Sequence, residues 1–216
     1  MIKHEQFQNF YEVNHPLIQH KLTEMRQTVT GKEAFKSRLH EIALLMTYEL
    51  TSKLAVFNKK IATPLCETEK PALKDDAPVI VPILRAGLGM SAAVEELIPN
   101  AIIGHVGVYR DHNTKEAKEY LVKLPNIKGK DILLIDPMLA TGNSAKYVVD
   151  ILIKHGAEAK NIKFLCLVAA PEGVEVIDKA YPEIEIYCAS LDSHLNENAY
   201  IVPGLGDAGD RLLGTV

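Results

Sequence analysis

The chain has 216 residues, 47% of them apolar and 24% charged, and its 24 lysines and arginines stand against 28 aspartates and glutamates for a net charge of −4. Those proportions describe an ordinary globular chain, long enough to bury most of its unfolded surface in one domain spanning 1–216. They exclude a protein that gathers nucleic acid by bulk positive charge, so an anionic ligand must be held by individually placed groups.

The longest stretch free of Asp, Glu, Lys and Arg runs from Leu97 to Tyr109 and contains Pro99, Gly104 and Gly107. A membrane span needs about 20 predominantly apolar residues, so none is expected. The opening Met1-Ile2-Lys3-His4-Glu5-Gln6 carries an early acid and no apolar h-region, which reads as a cytoplasmic protein without a secretion signal. Cys66, Cys166 and Cys188 are far apart with no C-x-x-C, so neither a disulfide framework nor a zinc knuckle is expected.

In chain order, Leu17, Leu22, Met25 and Val29, then Phe35, Leu39, Ile42, Leu45, Met46 and Leu50, recur at helical spacing and predict an N-terminal helical segment. From Val79 the texture changes to short apolar runs at Val79 to Leu84, Ala101 to Tyr109, Ile132 to Ile135, Ile162 to Ala169 and Ile184 to Ala189. Such runs suit strands buried on both faces of a parallel sheet. Helices are expected at Ser91 to Ile98, Ser144 to His155 and Glu172 to Ala180, the second closed by Gly156. Strand and helix alternate, so the fold class is α/β with a mainly parallel central sheet flanked by helices. The polar stretch Arg110 to Lys130 reads as an exposed loop or two-stranded flap.

In open parallel sheets ligands bind beyond the carboxyl ends of the strands, so the turns there are where chemistry is sought. After the first run, Gly87, Gly89 and Ala92 fit G-x-G-x-x-A, with Asp111 where a ribose-binding acid of a dinucleotide fold would stand. Against that reading, Arg85 at the mouth of the turn suits a phosphate or diphosphate held side-on. A tight turn with a surface arginine is the plain alternative. Gly204-Leu205-Gly206-Asp207-Ala208-Gly209 also matches G-x-G-x-x-G, but too little chain follows for a nucleotide-binding unit. What remains there is a C-terminal turn series or a loop that brings bare amides to a flat ligand.

Asp136-Pro137-Met138-Leu139-Ala140-Thr141-Gly142-Asn143-Ser144 lies between a strand and a helix. An acid followed by small and hydroxyl residues opening a helix makes a cradle for a terminal phosphate, because successive N–H groups and the helix dipole point at it. Arg110, ending another strand, offers a second cation. Among the eight histidines there is no metal spacing, and neither H-E-x-x-H nor G-x-S-x-G occurs.

Taken together, Pro82 to Gly87, Asp136 to Gly142 and Tyr200 to Arg211, with His15-Pro16-Leu17 and Ala170 to Val174, resemble the uracil branch of the type I phosphoribosyltransferases over nearly the whole chain. The resemblance implies transfer of 5-phosphoribosyl from phosphoribosyl pyrophosphate (PRPP) to N1 of uracil, giving UMP and diphosphate, with Mg²⁺ carried by the diphosphate. It places Arg85, Arg110 and Asp207 in catalysis, Arg85 and Arg110 on the diphosphate and Asp136 on the ribose hydroxyls. Pro137, Met138, Leu139, Ala140, Thr141, Gly142, Asn143 and Ser144 would form the rest of the sugar-phosphate site, which Asp207 would also reach. Ile201, Gly206, Asp207 and Ala208 would receive uracil. It further implies a homo-oligomer, a dimer or tetramer, and raises GTP as an effector. Asp111 to Lys118 depart from the branch's pattern, which bears on the flap rather than on the chemistry. A nicotinamide-dependent oxidoreductase and a non-catalytic nucleotide sensor on the same fold are the competing expectations.

Overall fold

A computed structural model describes residues 1–74, 77–110 and 117–215, apart from the side chain of Arg110. The chain opens with two short strands, β1 (Ile2–Lys3) and β2 (Phe10–Glu12), followed by helices α1 (Pro16–Arg26) and α2 (Lys32–Leu50). The antiparallel hairpin β3 (Val56–Ala62) and β4 (Glu67–Leu73) stands apart from the main sheet. Then come β5 (Val79–Leu84), α3 (Leu88–Leu97), β6 (Ile102–Ile103), β7 (His105–Arg110), β8 (Ala117–Lys123), β9 (Ile132–Ile135) and β10 (Met138–Leu139). The rest is α4 (Asn143–Lys154), β11 (Ile162–Ala169), α5 (Pro171–Ala180), β12 (Glu185–Leu191), β13 (His194–Leu195), β14 (Ile201–Val202) and α6 (Ala208–Leu213).

The main sheet runs β1-β2-β12-β11-β9-β5-β7-β8, with β6 on β5 and β10 on β11. All its pairings are parallel except β1 with β2 and β7 with β8 at the edges. The continuous apolar runs have a simple cause, because alternate residues of each strand face two different cores. Ile80, Leu133, Ile135, Leu165 and Leu167 join one core with Phe35, Leu39, Ile42 and Met46 of α2 and Met90 and Val94 of α3. Val79, Val81, Ile132, Leu134, Phe164 and Cys166 join the other with Val148, Val149 and Leu152 of α4 and Val174 and Ile177 of α5. Full burial of each large aliphatic side chain in these layers contributes about 1.5–3 kcal/mol.

Several expectations shift. The buried stripe of α1 is Ile18, Leu22 and Met25; Leu17 is exposed in its first turn, and Val29 is exposed because the helix stops at Gln27, whose backbone is extended. The run Ala101 to Tyr109 is two strands split at Gly104, whose N–H turns to the Ile80 carbonyl (2.9 Å). The polar excursion after Arg110 does return as the two-stranded flap β7–β8, yet Ile127 within it is buried and pins its end to the core. The hairpin β3–β4 and the edge strands β1 and β2 were not expected. Their residues are exposed or few, so no burial pattern marks them. No helix among the described residues is long and apolar enough to cross a membrane.

Candidate active site

The strongest cradle lies after β9. Strand β11 pairs with β9 through Ile162 to Leu165 and then changes partner, taking β10 at Val168 and Ala169. At the fork the Pro137 carbonyl accepts the N–H groups of Leu167 (3.0 Å) and Val168 (3.2 Å), the Asp136 N–H reaches the Leu165 carbonyl (3.2 Å), and the Leu139 carbonyl accepts the Ala170 N–H (2.9 Å). The segment Asp136 to Leu139 is thus stitched into the sheet rather than left as a loose turn. Beyond it the chain enters α4 through Gly142 at φ +76°, a conformation that favours glycine, and no side chain caps the helix. Apart from that of Asn143, which faces Thr141 Oγ1, the N–H groups of its first turn therefore stay available to an anion. Gly173 of α5 presses on the other side: a Cβ there would come within 2.3 Å of the Ala140 carbonyl oxygen.

These elements enclose a cavity of about 110 Å³ lined by Asp136, Met138, Leu139, Ala140, Thr141, Gly142, Ser144 and Ala145. The Asp136 carboxylate accepts the Met138 N–H at 3.3 Å. Burial pushes its carboxyl up to about 7, the Met138 hydrogen bond works against that shift, and the nearby charge of Asp207 adds to it. The fold therefore brings Asp136 and Asp207 within electrostatic reach of one another. Asn143 lies on the first turn of α4, its N–H facing Thr141 Oγ1 at 3.4 Å.

Asp207 caps α6, accepting the Asp210 N–H at 2.9 Å, and lies exposed beside Gly206. Ile201 and Ala208, the other ends of the same loop, are buried. Between them the chain turns at Gly204 (φ +59°), where a Cβ would meet the Ile201 carbonyl oxygen at 2.1 Å. Arg26 and Asp192 hold this turn. The Asp192 carboxylate, almost wholly buried, takes Arg26 through both terminal nitrogens at 2.7 Å and the Gly204 N–H at 2.8 Å. Arg26 also donates to the Gly204 carbonyl at 2.6 Å. Arg211 donates to the carbonyls of Met25 (2.6 Å), Leu205 (2.8 Å) and Gln27 (2.9 Å) and lies over the Phe35 ring at 4.5 Å.

Arg85 follows β5 directly and is exposed; its carbonyl accepts the Leu88 N–H at 3.2 Å, and its guanidinium has no hydrogen-bond partner among the described residues. It borders a different cavity, of about 260 Å³, with Lys32, Lys36, Leu88, Gly89, Leu212 and Leu213. Arg110 ends β7, and its side chain, like the whole of residues 111–116 with Asp111 among them, lies outside the described residues. The G-x-G-x-x-A reading loses its purpose, because a Cβ at Gly87 would meet the Ile135 carbonyl oxygen at 2.5 Å and one at Gly89 would meet Leu212 and Leu39. Those glycines let backbone and helices pack closely. Arg26, Asp192 and Arg211 had no part in the expected site. Asp192 stands just past the end of β12, at the carboxyl edge where the other site residues lie, but nothing in its neighbourhood in the sequence marks its pairing with Arg26.

A parallel sheet whose carboxyl edge carries an acid, a small-residue loop and an uncapped helix start is the arrangement of a type I phosphoribosyltransferase. Comparison with known proteins narrows the class. The chain belongs to the uracil phosphoribosyltransferase family, whose model matches residues 12–215. It is 53% identical to the uracil phosphoribosyltransferase of Rhodospirillum centenum, with 100% of both chains covered. It is 54% identical to that of Ralstonia pickettii over 97% of this chain and 96% of the relative. Among solved structures, the AQ2163 protein from Aquifex aeolicus superposes with TM-score 0.89 at 35% identity, covering 95% of this chain and 98% of that one.

Proposed function

We propose that the protein transfers 5-phosphoribosyl from PRPP to N1 of uracil, releasing UMP and diphosphate, as a pentosyltransferase of pyrimidine salvage. The observation that carries this reading is the Asp136 to Ser144 cradle at the carboxyl edge of the sheet, with the Asp207 charge near enough to act on Asp136. The family match and the full-length likeness to proteins named for that activity support it.

In this reading the first N–H groups of α4, with Thr141 and Ser144, take the 5-phosphate, and Ala140, Gly142 and Asn143 shape its seat. Asp136 accepts hydrogen bonds from the ribose hydroxyls while Pro137, Met138 and Leu139 fix its direction. The N1 lone pair forms the new bond to the ribose C1, the C1–oxygen bond breaks with its electron pair toward the diphosphate, and the N1 proton passes to the departing diphosphate or to water. Positive charge grows on the ribose, where the Asp136 and Asp207 carboxylates face it. Negative charge grows on the diphosphate, where Arg85 and Arg110 act. Uracil lies on Ile201, Gly206, Asp207 and Ala208, and main-chain groups match its carbonyl and N–H edge. Cytosine would leave a buried group unpaired.

Among the described residues no cluster of three His, Cys, Asp or Glu side chains forms a cage for a metal. The hard carboxylate oxygens of Asp136 and Asp207 suit Mg²⁺, which takes one or two carboxylates alongside substrate oxygens, so these two residues would hold an ion that the diphosphate also ligates. When bound, it offsets the charge of the leaving group.

The same reading carries one domain over 1–216, since one sheet is shared by two cores and the larger of them draws on residues from Val13 to Leu212. It also carries a cytoplasmic location and a homo-oligomer. The hairpin β3–β4 supports the oligomer by exposing Val56, Phe57, Ile61, Leu65 and Leu73. GTP as an effector rests on the family resemblance alone, and adding it to the assay tests it. The deciding experiment is formation of UMP from radiolabelled uracil and PRPP, with orotate and hypoxanthine as controls. Label retained as free uracil would overturn the reading.

A further inference from the structure

A loop that recognises a base through its main chain has its selectivity set by whatever grips its peptides. Here two arginines grip consecutive ones. The Gly204 carbonyl is held by Arg26, the last residue of α1, at 2.6 Å, and the Leu205 carbonyl by Arg211 at 2.8 Å. Neither arginine is free to swing. Arg26 is locked onto the Asp192 carboxylate at 2.7 Å, itself fixed by Ser190 Oγ at 2.8 Å, and Arg211 is tied to the Met25 and Gln27 carbonyls at the end of α1. Both peptides are trans, so each carbonyl and the following N–H point opposite ways. Drawing the carbonyls of Gly204 and Leu205 inward therefore turns the N–H groups of Leu205 and Gly206 outward, and neither finds an acceptor among the described residues.

We propose that Arg26 and Arg211 are positioning residues for base selection, and that through them the C-terminal end of α1, distant in sequence, aims the amides that meet the pyrimidine. The inference rests on the reading that the 201–208 loop receives uracil. Neither arginine touches the base, so both act through the peptides they hold.

The test is steady-state kinetics of Arg26→Lys with each substrate varied in turn. Lysine keeps the charge against Asp192 but has no planar fork to span the carboxylate and the Gly204 carbonyl together. The expected result is a KM for uracil raised roughly tenfold or more, with the KM for PRPP within about twofold of wild type. The preference for uracil over cytosine narrows as well, which a merely structural role would not produce. An unchanged KM for uracil, or both KM values rising together, overturns the proposal. If Arg26→Lys does not fold, Arg211→Lys is read by the same two outcomes. Failure of the wild-type protein to form UMP would overturn the underlying reading. Normal wild-type kinetics with an unshifted variant would overturn only this inference.

Discussion

Asp136 is asked to be a hydrogen-bond acceptor in a place that favours its neutral form. With its carboxyl raised to about 7 by burial, a growing share of the unliganded protein carries it protonated as pH falls below that value. The kcat/KM for PRPP is therefore expected to fall as pH drops through about 7, and a pH–rate profile checks this. Stability runs the other way. The folded value lies above the ordinary 3.8, so the group's contribution is intact below about 4 and is lost as pH rises toward 7. Asp136→Asn should thus weaken PRPP binding in calorimetry yet raise the melting temperature above pH 7. The gain is ~1–3 kcal/mol once the carboxyl's remaining solvent contact is allowed for, and it vanishes near pH 4. Arg85 makes the contrasting case. It is exposed and holds nothing, so Arg85→Ala should leave the unfolding free energy within about 0.5 kcal/mol of wild type. The same change should cut kcat/KM for PRPP by about a hundredfold, and unaltered kinetics would remove Arg85 from the diphosphate site.

At the scale of elements, the Asp136 to Ser144 cradle is a joint product of β9, β10, α4 and the first turn of α5. Gly173→Ala should press a methyl group onto the Leu139 and Ala140 carbonyls, costing about 1–3 kcal/mol and raising the KM for PRPP more than that for uracil. Parallel measurements of Tm and both KM values check it. This joint character explains what could be read from the sequence. The Asp136 to Ser144 segment was legible because acid, small residues and hydroxyls lie consecutively between a strand run and a helix stripe. Asp192 and Arg26 were not, because their partnership joins residues separated by most of the chain, and each alone is an ordinary charged side chain. The helix α6 was hidden for a different reason. It is short, and its glycine-rich start looks like a turn until Asp207 is seen capping it.

At the scale of the whole molecule, the two-faced apolar strands announced the parallel sheet, and burial on both faces is what made them conspicuous. The hairpin β3–β4 escaped because it buries almost nothing within its own chain. Its exposed Phe57 and Ile61 offer the test of the oligomer. The double change Phe57→Asp and Ile61→Asp should lower the mass measured by light scattering while leaving the circular dichroism spectrum unchanged. An unaltered mass would place the interface elsewhere.

The partner change of β11 has a consequence for how the protein fails. Amides of Leu167 and Val168 are bonded to the Pro137 carbonyl inside the central sheet, so their hydrogen exchange requires the opening that unfolds the core rather than a local fluctuation. A segment stitched into the sheet this way is not expected to soften ahead of the rest. On heating, the proposed seat for the sugar phosphate is expected to hold its shape until the sheet gives way, so that the two are lost in a single event.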